Sequence, residues 1–274
     1  MATTDSGPPS PPTKECIGLS VAALVIFSIL LFPTLYVAYK HRKTGKNCWP
    51  ILVSFFIFRI SSDIYYLSRL DKPDTPTTFA MMACGACAAT QSLAIIGLVY
   101  EALSLPFSPY KRSRNRFVLV TMHVLFTVGT ILAAYGGSRD TSMPGDVKND
   151  ALSKAGNIMM FLIMLGALVW LYPAGKHTFY VRQDANFPAA EALLMGAAPA
   201  MVLQLIRMNY DLIYAFTLIP SLHPTTGSFA IRFITFCIQL AIVAIALTAG
   251  WFSKYAAKIR VQALQSISST SELL

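Results

Sequence analysis

Residues 58–66 read FRISSDIYY and residues 206–214 read IRMNYDLIY, and both stretches lie in long apolar segments. They share the pattern Arg-x3-Asp-aliphatic-x-Tyr, and the second copy follows the first by 148 positions. A charge at the centre of a membrane-spanning helix costs about 2.5–3.5 kcal/mol on insertion scales, so such charges usually have a function. Arg, Asp and Tyr at positions i, i+4 and i+7 share one helical face. Each stretch is therefore predicted to direct a charge pair and a phenol into a helical bundle.

The composition is that of a membrane protein. Apolar residues make up 55% of the 274 residues and charged residues only 13%, whereas soluble domains carry about 25% charged residues. One polytopic bundle uses almost the whole chain, so no second domain is needed. We predict an all-α membrane protein whose seven transmembrane helices cover about 17–39, 49–68, 79–105, 117–136, 156–174, 189–219 and 228–251.

The distribution of basic residues predicts the orientation. Thirteen Lys and Arg residues follow spans 1, 3, 5 and 7, whereas six lie on the other side of the membrane. The positive-inside rule then places the N-terminus in the lumen or outside and the C-terminus in the cytosol. The net charge of +9 is thus topological and does not indicate nucleic acid. We expect a disordered lumenal tail at 1–16, a transmembrane domain at 17–251, a cytosolic tail at 252–274, and residence in the endoplasmic reticulum.

An internal repeat is a further prediction. Besides the two Arg–Asp motifs, Gln91 lies within span 3 and Gln239 within span 7. Spans 1–3 and 5–7 could be two parallel three-helix units joined by span 4. Parallel repeats occur in some transporters, with the site at the repeat interface. Short matches in apolar sequence also arise by chance, and that alternative stays open.

The candidate site is a cluster of charges in the lumenal half of the bundle. Three arginines and two aspartates are expected to converge there, and three tyrosines and a phenylalanine are candidates for its wall. Glu101, near the cytosolic end of span 3, is a third candidate carboxyl. Alternatively, the charge pairs only tie helices together, and Glu101 is an interfacial carboxylate. The cluster consists of Arg59, Asp63, Arg207, Asp211 and Arg232, with Tyr66, Tyr210, Tyr214 and Phe55.

Motifs for metal or cofactor binding are missing from the sequence. It contains no His-Glu-x-x-His motif, no paired His and Cys spacing, no phosphate loop and no aspartate-rich box. Cys84 and Cys87 have the spacing of a redox pair, but they lie among alanines in span 3, which favours close helix packing. We therefore expect neither a cofactor nor a metal.

Several short motifs resemble those of a fungal family of seven-span membrane proteins, most of which have no assigned function. They are residues 55–60 (FFIFRI), Glu101, residues 205–210 (LIRMNY) and the Lys-His-Arg loop after span 1. Proteins of this kind include terpene cyclases of meroterpenoid pathways, such as those of ascochlorin and ascofuranone. These enzymes protonate an epoxide on a farnesyl chain and steer the resulting carbocation.

The resemblance implies a metal-independent terpene cyclase, an isomerase of fungal secondary metabolism acting on an isoprenoid chain. Asp63, Asp211 and Glu101 would be the candidate acids. The arginines would position the head group of the substrate, and the aromatic residues would stabilise the cation. The alternatives are a transporter or receptor for a small amphiphilic molecule, built on the parallel repeat, and a membrane accessory protein without chemistry.

Overall fold

The chain is an all-helical bundle. The computed structural model describes residues 14–41, 44–70, 78–105, 112–138, 149–184, 186–223 and 227–271. Of the tails expected at 1–16 and 252–274, residues 1–13 and 272–274 lie outside the described residues, whereas the remainder belongs to the first and last helices. The helices are α1 (Lys14–His41), α2 (Trp49–Ser68), α3 (Thr78–Ser104), α4 (Arg112–Gly136), α5 (Asp150–Tyr180), α6 (Phe187–Thr217) and α7 (Phe229–Ser271).

The predicted fold class is confirmed, because seven of the described helices are long and apolar enough to cross a membrane. Large apolar side chains cover the outside of the bundle; Phe32, Phe117 and Tyr172, for example, are 72–77% exposed. Such a surface requires a lipid environment, since soluble proteins rarely expose large contiguous apolar patches. The chain therefore has the features of a multi-pass integral membrane protein.

Local signals account for several helix ends. Pro50 and Pro188 lie in the first turns of α2 and α6, where a missing N–H donor is not needed. The side chain of Asn149 caps α5 by accepting a hydrogen bond from the backbone N–H of Leu152. At the end of α6, Leu218 adopts the left-handed conformation with φ 50°.

Helix α3 is the centre of the bundle. It packs against α2, α4, α5 and α6, while α1 also contacts α7. Within its membrane segment 72% of the residues are buried, against at most 50% in the other six helices. Because successive helices cross in alternate directions, α1, α3, α5 and α7 all begin on one side of the membrane. We call this the α1-start side and the opposite one the α1-end side.

Small residues allow α4 and α5 to pack closely. A Cβ added to Gly156 would overlap the backbone nitrogen of Ala133 and lie 2.5 Å from the carbonyl oxygen of Gly129. Membrane helices associate largely by such close backbone contact, because lipid provides no hydrophobic driving force between them. The α4–α5 pair thus forms one wall of the bundle, away from the polar residues described next.

Candidate functional site

A polar cavity of about 70 Å³ lies between α1, α2, α3, α6 and α7 on the α1-start side. Its wall contains four of the five predicted charged residues: three arginines, one each from α2, α6 and α7, and one aspartate from α2. The cavity is therefore the place where the sequence motifs converge. Its lining consists of Leu19, Ser20, Arg59, Ser62, Asp63, Tyr66, Ala80, Cys84, Cys87, Arg207, Arg232, Thr235 and Gln239.

Arg59 is neutralised within its own helix. Its Nε donates to Oδ2 of Asp63 at 2.9 Å and its Nη2 donates to Oδ1 at 3.1 Å. Its Nη1 donates to Oε1 of Gln239 on α7 at 3.1 Å. Asp63 is only 4% exposed, so this two-point contact provides the pairing that a buried carboxylate requires. The first motif therefore forms an ion pair that also joins α2 to α7.

Arg207, the equivalent residue of the second motif, has no ion-pair partner in the part of the chain that the structure describes. It is 2% exposed, and its Nη1 donates to Oε1 of Gln91 on α3 at the long distance of 3.4 Å. Its Nε makes no hydrogen bond to the described part of the chain. An unpaired buried cation is costly, because it has lost its hydration without gaining a counter-ion. Arg207 is thus a buried guanidinium that borders the cavity and lacks a counter-ion within ion-pair distance among the described residues.

Arg232 adds a third cation near the start of α7. Its Nη2 donates to the hydroxyl of Ser20 at 2.9 Å. Its guanidinium also lies 4.4 Å from the centroid of the Tyr66 ring, in a cation–π contact. Both partners are neutral, so the positive charge of Arg232 is retained. Tyr66 therefore takes part in the cavity by holding this arginine.

The cavity has the electrostatic character of an anion site. Its three arginines and one aspartate leave two positive charges on the wall. The first turns of α3 and α7 lie on this side as well, and helix N-termini carry a partial positive charge. No group of three or more potential metal ligands occurs among the described residues. The arrangement is therefore suited to bind an acidic group.

Other predicted site residues lie outside the cavity wall. Asp211 is one turn beyond Arg207 but makes no ion pair or hydrogen bond to any described residue, although it lies near the thiol of Cys84. Phe55 is in the apolar core against Phe27 and Phe56, with ring centroids 5.6 and 5.4 Å away. On α6, Tyr210 is half-buried, and the ring of Tyr214 packs edge-on against His223 at 5.1 Å.

Glu101 belongs to a second polar cluster on the α1-end side. Its Oε1 lies 2.5 Å from Nδ1 of His41, and its Oε2 accepts from Nε1 of Trp49 at 2.9 Å. Nε2 of His41 contacts the carbonyl oxygen of Gly250 at 3.0 Å. The three side chains are at most 2% exposed. This network joins α1, α2, α3 and α7 at the opposite side from the arginine cavity.

Several polar residues of the cavity wall were not predicted from the sequence. Ser20, Ser62 and Thr235 are common residue types in membrane helices, so nothing in their local sequence distinguishes them. Cys84 and Cys87 were assigned to helix packing, yet both face the cavity from α3. The two cysteines lie one turn apart on α3 and precede Arg232 and Thr235 by the same 148 positions that separate the two Arg–Asp motifs, and this spacing is the signal that could have placed them there.

The chain belongs to a protein family described as a domain of unknown function (DUF7702), which matches residues 14–256. No curated protein and no solved structure matches the chain. The family thus covers all seven membrane segments, and its description carries no activity.

Proposed function

We propose that this protein is a transporter or receptor for a small amphiphilic molecule whose acidic head group binds in the arginine cavity. The single observation behind the proposal is the buried Arg207, which borders the cavity and has no described residue as a counter-ion within ion-pair distance. A bound anion would supply that missing partner, and a charge-assisted bond to a guanidinium is stronger than a neutral one.

The size of the cavity favours an amphiphile over a compact apolar ligand. A volume of about 70 Å³ accommodates a carboxylate or sulfonate with a few atoms, whereas sites for drug-sized ligands measure about 300–1,000 Å³. The apolar chain of the ligand would then lie against the lipid-facing helices. A charged head group in the cavity and an apolar chain outside it would thus correspond to the charged cavity and the apolar exterior of the bundle.

The native Cys84 provides the first test, because it lines the cavity and is partly exposed. The full chain in detergent is treated with anionic sulfonatoethyl or cationic trimethylammonioethyl methanethiosulfonate, and mass spectrometry quantifies modification at Cys84. Each rate is normalised to the rate with free mercaptoethanol. The excess positive charge around the cavity should favour the anionic reagent by at least about tenfold, since about 1.4 kcal/mol corresponds to that ratio.

Matched variants separate the cavity from a general charge effect. Arg207→Gln should reduce the preference for the anionic reagent, whereas Asp150→Asn, in an ion pair on α5, should leave it unchanged. A preference for the cationic reagent, or no reaction at Cys84, would contradict an anion site. Uptake into sealed vesicles that depends on a gradient would then distinguish a transporter from a receptor.

The orientation and compartment are part of the proposal. The basic residues that follow spans 1, 3, 5 and 7 support a cytosolic α1-end side and a cavity that opens toward the lumen or outside. Residence in the endoplasmic reticulum follows from the lack of another address in the sequence. Protease protection of tags at the two termini, in microsomes, tests the orientation: only the N-terminal tag should be protected. Co-fractionation with a marker of the endoplasmic reticulum tests the compartment.

Terpene cyclisation is the second candidate, and Asp211 is the observation that favours it. Both oxygens of Asp63 are engaged by Arg59, and Glu101 is held by His41 and Trp49, so Asp211 is the candidate acid without such bonds. Microsomes incubated with an epoxyfarnesyl phenol should then yield an isomer of equal mass, and Asp211→Asn should abolish it at unchanged expression. Failure of a panel of such epoxides to react would refute a fungal meroterpenoid cyclase.

A further inference from the structure

Two hydrogen bonds across the cavity region are reciprocal. Arg59 on α2 donates to Oε1 of Gln239 on α7, and Arg207 on α6 donates to Oε1 of Gln91 on α3. Arg207 follows Arg59 by 148 positions, and Gln239 follows Gln91 by the same 148. Each three-helix unit therefore contributes an arginine to the glutamine of the other unit. In a two-fold, isologous interface, residue i of one unit contacts residue j of the other, and residue j contacts residue i in return. The two arginine–glutamine bonds follow this rule.

Two further observations fit this relation. Nε2 of Gln91 donates to the backbone oxygen of Gln239 at 3.1 Å, so two equivalent residues touch each other at the boundary between the units. Residues of the cavity wall also come in equivalent pairs with the same offset: Cys84 with Arg232, and Cys87 with Thr235. The cavity thus lies where the two units meet.

The two units differ in the pairing of their arginines. Asp63 binds Arg59 through both oxygens, whereas Asp211 is not within ion-pair distance of Arg207. We propose that α1–α3 and α5–α7 are duplicated halves in which Arg59 holds the halves together and Arg207 receives the single negative charge of the ligand. This inference rests on the proposed function, because it specifies which residue binds the head group and how many charges that group carries.

The charge count supports a monoanion. Arg59 and Asp63 cancel, which leaves Arg207 and Arg232 as the positive charges of the wall. Asp211 is not part of that wall but lies near Cys84 and acts electrostatically on Arg207. With Asp211 included, the described residues of this region carry one positive charge. A carboxylate or sulfonate would neutralise it, whereas a phosphate monoester, with close to two negative charges, would leave an excess negative charge in a largely apolar surrounding.

The test measures binding of radiolabelled dodecanoate, a monoanion, and dodecyl phosphate, which approaches a dianion, to the full chain in phosphatidylcholine nanodiscs. The unsubstituted chain should bind dodecanoate at least about tenfold more tightly. Arg207→Gln should weaken dodecanoate binding at least about thirtyfold. The double variant Arg59→Gln/Asp63→Asn, which deletes a neutral pair, should weaken it by less than about fivefold. Asp211→Asn should shift the preference toward dodecyl phosphate.

Controls and outcomes separate this inference from the proposed function. Asp150→Asn/Lys154→Gln deletes a comparable ion pair on α5 and should leave binding unchanged. Thermal unfolding of Arg207→Gln should show no loss of stability, since an unpaired buried charge is removed. If dodecanoate binds but the Arg59→Gln/Asp63→Asn variant loses more affinity than Arg207→Gln, the division of roles is overturned while an anion site remains. If neither anion binds, the proposed function fails as well.

Discussion

Substitution of Glu101 tests whether the buried network on the α1-end side acts through hydrogen bonds or through a charge. A carbonyl oxygen only accepts, so Nε2 of His41 must carry a proton to bind Gly250. At 2.5 Å, a second proton must lie between Nδ1 and Oε1, and the His41–Glu101 pair is neutral overall whichever atom holds it. Glutamine is also neutral, donates through its amide nitrogen and accepts through its oxygen. Glu101→Gln can therefore keep both contacts, with His41 and with Trp49.

The two substitutions at this position differ in expected magnitude. Glu101→Ala leaves the imidazole nitrogen and the indole N–H without partners, at about 1–3 kcal/mol for each buried group. The sum of about 2–6 kcal/mol agrees with about 3–5 kcal/mol for breaking a buried pair. A loss near 4 kcal/mol corresponds to a fall in Tm of about 8–16 °C at about 2–4 °C per kcal/mol. For Glu101→Gln we expect less than about 1 kcal/mol, or a few degrees.

The assay is thermal unfolding of the full chain in detergent. The fraction that stays monodisperse on size-exclusion chromatography is measured after heating to each temperature. His41→Ala should resemble Glu101→Ala, because it breaks the same pair from the other side. An equal loss for Glu101→Gln and Glu101→Ala would refute the hydrogen-bond account, and an unchanged Tm for Glu101→Ala would refute a stabilising network. The same variants bear on catalysis: if Glu101 were the acid of a cyclase, Glu101→Gln would lose the product while remaining folded.

Three smaller predictions concern backbone and thiol positions. A Cβ on Gly250 would overlap the indole of Trp49, so Gly250→Ala should lower Tm by several degrees, whereas Gly166→Ala, with no atom within 4 Å, should leave it unchanged or raise it. Leu218, with φ 50°, should tolerate glycine without loss of Tm, whereas the β-branched Leu218→Val should lower it. Burial raises the pKa of Cys48 well above its usual value, so at pH 8 this thiol should resist methanethiosulfonates until unfolding, which peptide mass spectrometry can measure.

Much of the fold could be predicted from the sequence because membrane helices are specified by composition alone. An apolar stretch of about 20 residues must form a helix in lipid, where every backbone group needs an internal partner. Helix lengths were less predictable: α5 runs from Asp150 to Tyr180, beyond the predicted 156–174, because polar and charged residues continue a helix once it leaves the hydrocarbon region. The hydropathy pattern detects only the part of a helix that lies in lipid.

The charged residues of the site could be predicted from the sequence, but which of them form ion pairs could not. The i, i+4 spacing of the two motifs is identical, so both Arg–Asp pairs were equally expected to form. Only tertiary contacts distinguish them: Arg59 donates to both Asp63 and Gln239, whereas Arg207 donates to Gln91 and forms no ion pair with Asp211. Glu101 shows the same limit, because its partners His41 and Trp49 are 60 and 52 positions away in sequence. Pairing of this kind depends on helix packing, which local spacing does not encode.

The two polar clusters divide the bundle into a fixed and a more adaptable side. On the α1-end side, the His41–Glu101–Trp49 network joins four helices through bonds of 2.5–3.0 Å. On the α1-start side, three bonds that cross between the halves measure 3.1–3.4 Å and end at neutral amide groups, and Arg232 also donates to Ser20 at 2.9 Å. Three of these four bonds are longer than every bond of the His41–Glu101–Trp49 network, so we expect the helix ends to separate more readily on the α1-start side, where a ligand can reach Arg207 while the opposite side stays closed. Hydrogen exchange should therefore be faster at the first turns of α3 and α7 than at the last turns of α1 and α3. Equal protection at both sides would contradict this division.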